Sequence, residues 1–491
     1  MLQDALAHHQ AGRFREAEAL YRAILAAEPG NADALHLLGV ARHQQGAHDE
    51  AIALIGKAVA ADPRRPEFHN NLGEAQRLCG RPAQAEQAYR AALALDANLA
   101  AAHGNLGHAL LAQERVEAAA ASYERAAALD PGNAGVLVNL AFTLLELGRL
   151  QDAEQRAREA LALRPGDAEA HQFLAAALAG LERFDEAAAS YRRALELKPD
   201  YVEAHVNFAQ LCLLRGDYAE GWKHYAWRPR PDVRQAAPWT GAEDLRGKSI
   251  LLQYEQGLGD TIHFCRYAPL VAARGAKVLL RVPDVLAPFL QHLGQIVPEG
   301  APPPRTDYYS PLLSLPAAFG TTLADIPASI PYLHADPGDW REKLGGGAEP
   351  LVGLCWRGNP AYKGDRHRST SLKVLEPLLA VPGVRFVSLQ RERREDERHP
   401  ALVHVGADFG STASLVAALD LVICVDTVWA HWAGAIGRPL WLMLPRAAHW
   451  CWMTEREDSP WYPTARLFRQ QESGDWAPVV ARLARELGRR R

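Results

Sequence analysis

The sequence predicts an α-helical repeat solenoid followed by a two-lobed α/β module. Three observations carry this reading: a 34-residue internal period in the first half, an abrupt change of composition after Tyr225, and alternating strand and helix patterns beyond it. At about 150 residues per domain, 491 residues allow roughly three folding units. A composition of 48% hydrophobic and 23% charged residues excludes a mainly disordered or fibrous chain. The net charge of −4 provides no global basic field, so nucleic acid is not expected as a partner and any anion site must be local.

The repeats come first in the chain. Asn-Leu-Gly stands at 71–73 and 105–107, with Asn139-Leu140-Ala141 one period on. Alanine recurs in phase at Ala17, Ala51, Ala85, Ala119, Ala153 and Ala187. Tyr21, Tyr89, Tyr123, Tyr191 and Tyr225 follow four residues later in most copies, and Pro29, Pro63, Pro131, Pro165 and Pro199 close successive units. A small residue lets two helices approach, tyrosine fills the gap between them, and proline ends the second helix. The pattern resembles the tetratricopeptide repeat, in blocks near 32–65, 66–99, 100–133, 134–167 and 168–201 with imperfect copies at 1–31 and 202–231.

The tryptophan usual early in that motif is replaced by Leu35, His69, His103, Leu137, His171 and His205. One imidazole per repeat is too widely spaced to share an ion, so no metal site is expected there. Asn71, Asn105, Asn139 and Asn207 share another phase, interrupted by Leu37 and Phe173. Amides at these positions either pair with the backbone of an extended peptide in the groove of the array or satisfy neighbouring groups of the array itself. The series resembles the asparagine ladder of O-GlcNAc transferases.

Arg228-Pro229-Arg230-Pro231, Pro238 and Gly241 cannot continue the helical repeat and read as the passage into a linker that runs to about Gly247, with its bounds set at 232–247. The array is accordingly assigned to 1–231, a first α/β lobe to 248–344 and a second to 345–491. The first lobe opens with a strand over 248–254, a Gly-rich turn, a helix from Thr261 to about Arg274 and a strand over 278–282. Prolines and turn residues dominate 302–331, and 336–344 reads as a helix ending in three glycines. Buried strands are expected at 351–356, 385–389, 421–425 and 440–444, with helices near 371–379, 412–419 and 427–436. In open parallel sheets ligands bind beyond the carboxyl ends of strands. The residues there are polar: Glu255 and Asp260, then Arg357, Asn359, Lys363, Arg366 and Arg368, then Asp426, Thr427 and His431.

Gly259-Asp260 and Asp426-Thr427-x-x-x-His431 resemble the glycosyltransferase-B fold, specifically the ADP-heptosyltransferase-like family, over about 248–488. The resemblance extends to bacterial proteins that fuse tetratricopeptide repeats to such a domain, through EQGLGDTI (255–262), GNPAYKGDR (358–366) and DSPWYP (458–463). It implies sugar transfer from a nucleotide-diphosphate donor, with inversion and no separate cofactor or metal. Asp260 would be the general base, with Glu255 and His263 as substitutes; on residues alone, Asp260 reads as an N-cap. Thr427 and the free N–H groups behind it offer an anion socket. His431 would donate to phosphate under the resemblance, and by itself reads as a satisfied core histidine. Asp426 would position Thr427 or a donor hydroxyl. Asn359, Lys363, Arg366 and Arg368 would approach the diphosphate from a loop or, equally, lie solvated.

The mixed run 391–399 is assigned to solvent, and Trp450, Trp452, Trp461 and Tyr462 to packing. A terminal helix over 476–487 is expected to cross back to the first lobe, as in the fold it resembles. The six cysteines form no CxxC pair, which argues against a zinc ribbon or redox motif. Asp4, His8, His9 and Gln10 break any secretory signal, and no run reaches the roughly 18–20 apolar residues of a membrane span, so a cytoplasmic location is expected. The expected function is transfer of a sugar to an acceptor, most naturally a protein selected by the repeats. Two alternatives stand beside it: a protein-binding scaffold with a silent transferase domain, and an enzyme using a UDP-sugar like the O-GlcNAc transferases.

Overall fold

The computed structural model describes residues 1–230, 236–362, 364–392, 394–395 and 397–490. The chain forms two compact units, Met1–Ala204 and His205–Arg491.

The first unit is a solenoid of helical pairs. In the second repeat, Ala32–Gln44 pairs with His48–Ala61; in the third, Pro66–Leu78 pairs with Pro82–Leu95. All six phased alanines are wholly buried, as are Tyr21, Tyr89 and Tyr123. The glycine of Asn-Leu-Gly has a steric reason, since a Cβ on Gly73 or Gly107 would lie 2.6 or 2.7 Å from the ring of Tyr89 or Tyr123. The second helices end two residues before the prolines, at Ala27, Ala61, Leu129, Leu163 and Leu197. Residues preceding proline avoid helical backbone, which sets this limit. The histidines in the tryptophan position tie each repeat to the end of the one before it: the Nε2 atoms of His69, His103 and His171 donate to the carbonyls of Pro63, Ala97 and Pro165 at 2.9–3.0 Å.

The second unit contains two all-parallel sheets. The first is built from β1 (Ala237–Pro238), β2 (Ser249–Gln253), β3 (Lys277–Arg281), β4 (Gln295–Val297) and β5 (Tyr308–Pro311), in the order β1-β5-β2-β3-β4. The second has β6 (Leu351–Cys355), β7 (Arg385–Ser388), β8 (Leu402–His404), β9 (Leu421–Val425), β10 (Leu440–Leu444) and β11 (Ala465–Arg469), in the order β11-β10-β9-β6-β7-β8. Both sheets are doubly wound: β2 and β6 sit centrally, with β3-β4 and β7-β8 on one side of them and the remaining strands on the other. Their switch points lie between β2 and β5 and between β6 and β9. One continuous apolar cluster joins Ile250, Leu252 and Phe264 of the first lobe to Val422, Trp432 and Leu442 of the second.

Several expectations change here. The segment read as a linker supplies β1, although 231–235 lie outside the described residues, and β5 forms inside the proline-rich stretch. The helix expected from Thr261 starts at Leu258 and breaks after Phe264 into a short 3-10 turn, where Pro269 opens the next helix, Ala268–Ala273. Pro337-Gly338 reduces the helix expected over 336–344 to Trp340–Lys343. The Tyr218–Tyr225 helix, expected in an imperfect last repeat, belongs to the second unit: Trp222 Nε1 donates to the Thr321 carbonyl at 2.7 Å, and Trp461 Nε1 donates to Tyr218 Oη at 3.0 Å. The terminal helix, Ala477–Arg489, does not reach the first lobe with its apolar face; Val479, Val480 and Leu483 pack with Val352, Leu378 and Phe468 of the second.

Candidate functional site

The chain beyond β2 turns through Glu255–Gly257 into the Leu258–Phe264 helix, whose N-cap is Gly257. Asp260 is therefore the third helical residue and not the cap itself. The backbone N–H groups of Gly257 and Asp260 act to favour its charged form. Burial nevertheless holds the carboxyl above its ordinary pKa; His449 opposes the rise and Asp426 adds to it.

Asp426 and Thr427 follow β9, and Thr427 caps the Val428–Ala435 helix without a side-chain capping bond. Its hydroxyl turns inward to Cys355 Sγ at 3.8 Å. One turn on, His431 is buried, with Nδ1 2.9 Å from Tyr462 Oη and Nε2 3.8 Å from Asp426 Oδ1. Burial lowers its pKa to about 4, so the ring is neutral at pH 7. The two lobes approach closely here, and a Cβ on Gly259 would lie 2.8 Å from His431 Cδ2. The glycine before Asp260 is therefore required by the histidine of the opposite lobe.

Arg368 joins this group. Its Nη1 donates to the Asp426 carbonyl at 2.7 Å and its Nε to Asp365 Oδ1 at 3.0 Å. Gly358 makes room for that pair, since its Cβ would lie 2.3 Å from Asp365 Oδ1. Asn359 is exposed and its Oδ1 accepts from the Ala361 N–H, while Arg366 is exposed and its Nε donates to His367 Nε2. Lys363 lies outside the described residues.

The substitutes for Asp260 have other engagements. Glu255 forms a buried ion pair with Arg228 at 2.7 Å, so an arginine read as part of a linker instead anchors the loop behind β2. His263 is buried among Phe264, Trp461 and His431, with no partner for Nε2 among the described residues. The run 391–399 is not wholly solvated, as Glu397 is buried against Arg357 at 2.6 Å and accepts from Trp356 Nε1. Trp450, Trp452, Trp461 and Tyr462 are buried, yet Tyr462 also reaches His431. Sequence reasoning missed Tyr462, Arg228 and Glu397 as partners; the recurrence of DSPWYP was the available signal for the first.

In the repeats, Asn71, Asn105, Asn139 and Asn207 are all half-buried. Asn71 Nδ2 pairs with His36 Nε2 at 2.8 Å, and Asn105 Nδ2 donates to Asn70 Oδ1 at 3.1 Å. Both amides thus reach back to the preceding repeat.

Comparison with known proteins defines the first unit as a tetratricopeptide-repeat array. Tetratricopeptide-repeat families match residues 8–75 and 110–177, 80–134, and 177–216. Protein FlbA of Caulobacter vibrioides is 31% identical over 325 residues, which are 57% of this chain and 54% of FlbA. The chain thus spans about half the length of that relative. Among solved structures, MamA is 26% identical with a TM-score of 0.32, covering 34% of this chain and 92% of MamA. PilF of Pseudomonas aeruginosa is 23% identical with a TM-score of 0.39, covering 41% of this chain and 92% of PilF. No helix among the described residues is long and apolar enough to cross a membrane.

Proposed function

We propose that the second unit is a glycosyltransferase-B-type enzyme using a nucleotide-diphosphate sugar, and that the repeats select a protein acceptor. The observation that carries this reading is the meeting of two doubly wound parallel sheets, which brings Asp260 of one lobe toward Asp426, His431 and Arg368 of the other. In the proposed reaction an acceptor hydroxyl oxygen attacks the anomeric carbon and its proton passes to the Asp260 carboxylate. The bond from that carbon to the diphosphate breaks, and nucleoside diphosphate leaves with inversion. A carboxylate made more basic by burial suits that role. Hydrogen-bond donors on the opposite lobe would stabilise the departing oxygen.

The test is a thermal-shift screen of the full chain with ADP, GDP and UDP and their sugars, followed by product analysis. A saturable rise in melting temperature with one nucleotide supports the reading. No shift across the panel overturns it. A specific observation favours a second reading, a protein-binding scaffold with a silent domain: the contact of Gly259 with His431 and the inward turn of Thr427 narrow the space between lobes. That reading predicts no nucleotide binding and capture of a protein by the repeats alone.

A further inference from the structure

DSPWYP has no role in the reaction written above, yet its residues are tied into the centre of the second unit. Ser459 Oγ accepts from the N–H groups of Trp461 and Tyr462 and so fixes the turn. The Trp461 carbonyl accepts from Arg266 Nη1 at 2.7 Å, and the guanidinium lies 4.5 Å from the Tyr462 ring centroid. This leaves the Tyr462 hydroxyl held at His431.

The direction of that hydrogen bond follows from its surroundings. Among the described residues, the hydrogen-bonding neighbours of Tyr462 Oη are His431 Nδ1 at 2.9 Å and Tyr332 Oη at 3.5 Å, the latter on its donor side. Tyr332 already accepts from Arg266 Nη2 at 2.9 Å and sends its own hydrogen to the Ile262 carbonyl at 3.0 Å. The shorter contact therefore takes the Tyr462 hydrogen, and His431 Nδ1 is the acceptor. A second argument comes from the other nitrogen. Nε2 lies 3.8 Å from Asp426 Oδ1, where a lone pair would be repelled by the carboxylate and an N–H is favoured.

We infer that Tyr462 is a positioning residue that holds His431 as the Nε2–H tautomer, a neutral hydrogen-bond donor directed toward Asp426 and suited to an anionic phosphate oxygen. The ligand in this statement rests on the transferase reading; the tautomer does not. Burial, which keeps the imidazole uncharged at pH 7, is consistent with donation without a cation.

The experiment uses the full chain labelled with 15N-histidine, with the His431 signals identified by their loss in His431→Gln and protonation read from long-range 1H–15N correlations at pH 7. Protonated Nε2 with bare Nδ1 in the wild type, shifting toward protonated Nδ1 in Tyr462→Phe, upholds the inference. Tyr332→Phe should leave the tautomer unchanged. Protonated Nδ1 in the wild type overturns the inference, as does an unchanged tautomer in a folded Tyr462→Phe. If Tyr462→Phe does not fold, the wild-type spectrum decides. With whichever nucleoside diphosphate binds the wild type, Tyr462→Phe should weaken affinity about tenfold. The expected tautomer and its expected shift without nucleotide binding by the wild type would uphold the role of Tyr462 and overturn the transferase reading.

Discussion

Asp260 and His431 carry opposite consequences of burial. For Asp260 the proton is held more tightly in the folded chain, so a base role makes turnover rise with pH through its elevated pKa. Asp260→Asn should lower turnover by about 100-fold with little change in nucleotide affinity, checked by steady-state kinetics beside calorimetric binding. His431 titrates near 4 when folded and near 6.5 when unfolded. Between those values the unfolded chain binds more protons, so this residue's contribution to stability rises with pH and levels off above about 6.5. His431→Gln should remove up to about 3 kcal/mol of that dependence. Urea melts of both proteins at pH 4.5 and 7.5 measure it, and equal pH slopes would remove His431 from the account. Gly259→Ala tests the close approach: the added methyl meets the His431 ring, and a loss of about 1–3 kcal/mol is expected.

Among the elements, the turn inside each repeat offers a test independent of any ligand. Gly12, Gly46, Gly80, Gly148 and Gly216 stand 34 residues or a multiple apart, all with positive φ. Glu114 and Glu182 occupy the missing positions with φ of 58° and 61°. A side chain in left-handed backbone is strained where glycine is not, while glycine is more flexible in the unfolded chain. Glu114→Gly should therefore stabilise the array by about 0.5–1 kcal/mol, measured by circular dichroism during denaturation. A loss of stability would show that the glutamate side chain contributes more than its backbone costs. The repeat itself was legible in the sequence because each copy solves the same packing problem with the same small residue and ring. The short strands β1, β5 and β8 were not. They have two to four residues, and pairing, rather than local pattern, makes them strands.

Across the whole molecule, all twelve tryptophans lie in the second unit, because none precedes Trp222. Tryptophan fluorescence therefore follows that unit alone. Arg228→Ala leaves Glu255 buried without its partner, and the fluorescence transition should lose about 3–5 kcal/mol. An unchanged transition would mean that solvent or another cation takes the place of Arg228. The sequence by itself determined the period of the array, the order of its helices, the parallel character of the second half and the polar strings behind its strands. These features depend on local spacing and on side-chain type. Only the tertiary structure decided that Gly259 faces His431, that Glu255 belongs to Arg228, that Glu397 is buried and that Tyr462 turns its hydroxyl to His431. Those pairings join residues from 27 to 172 positions apart in contacts of a few ångströms, and the folding of the two sheets, not local periodicity, brings them together.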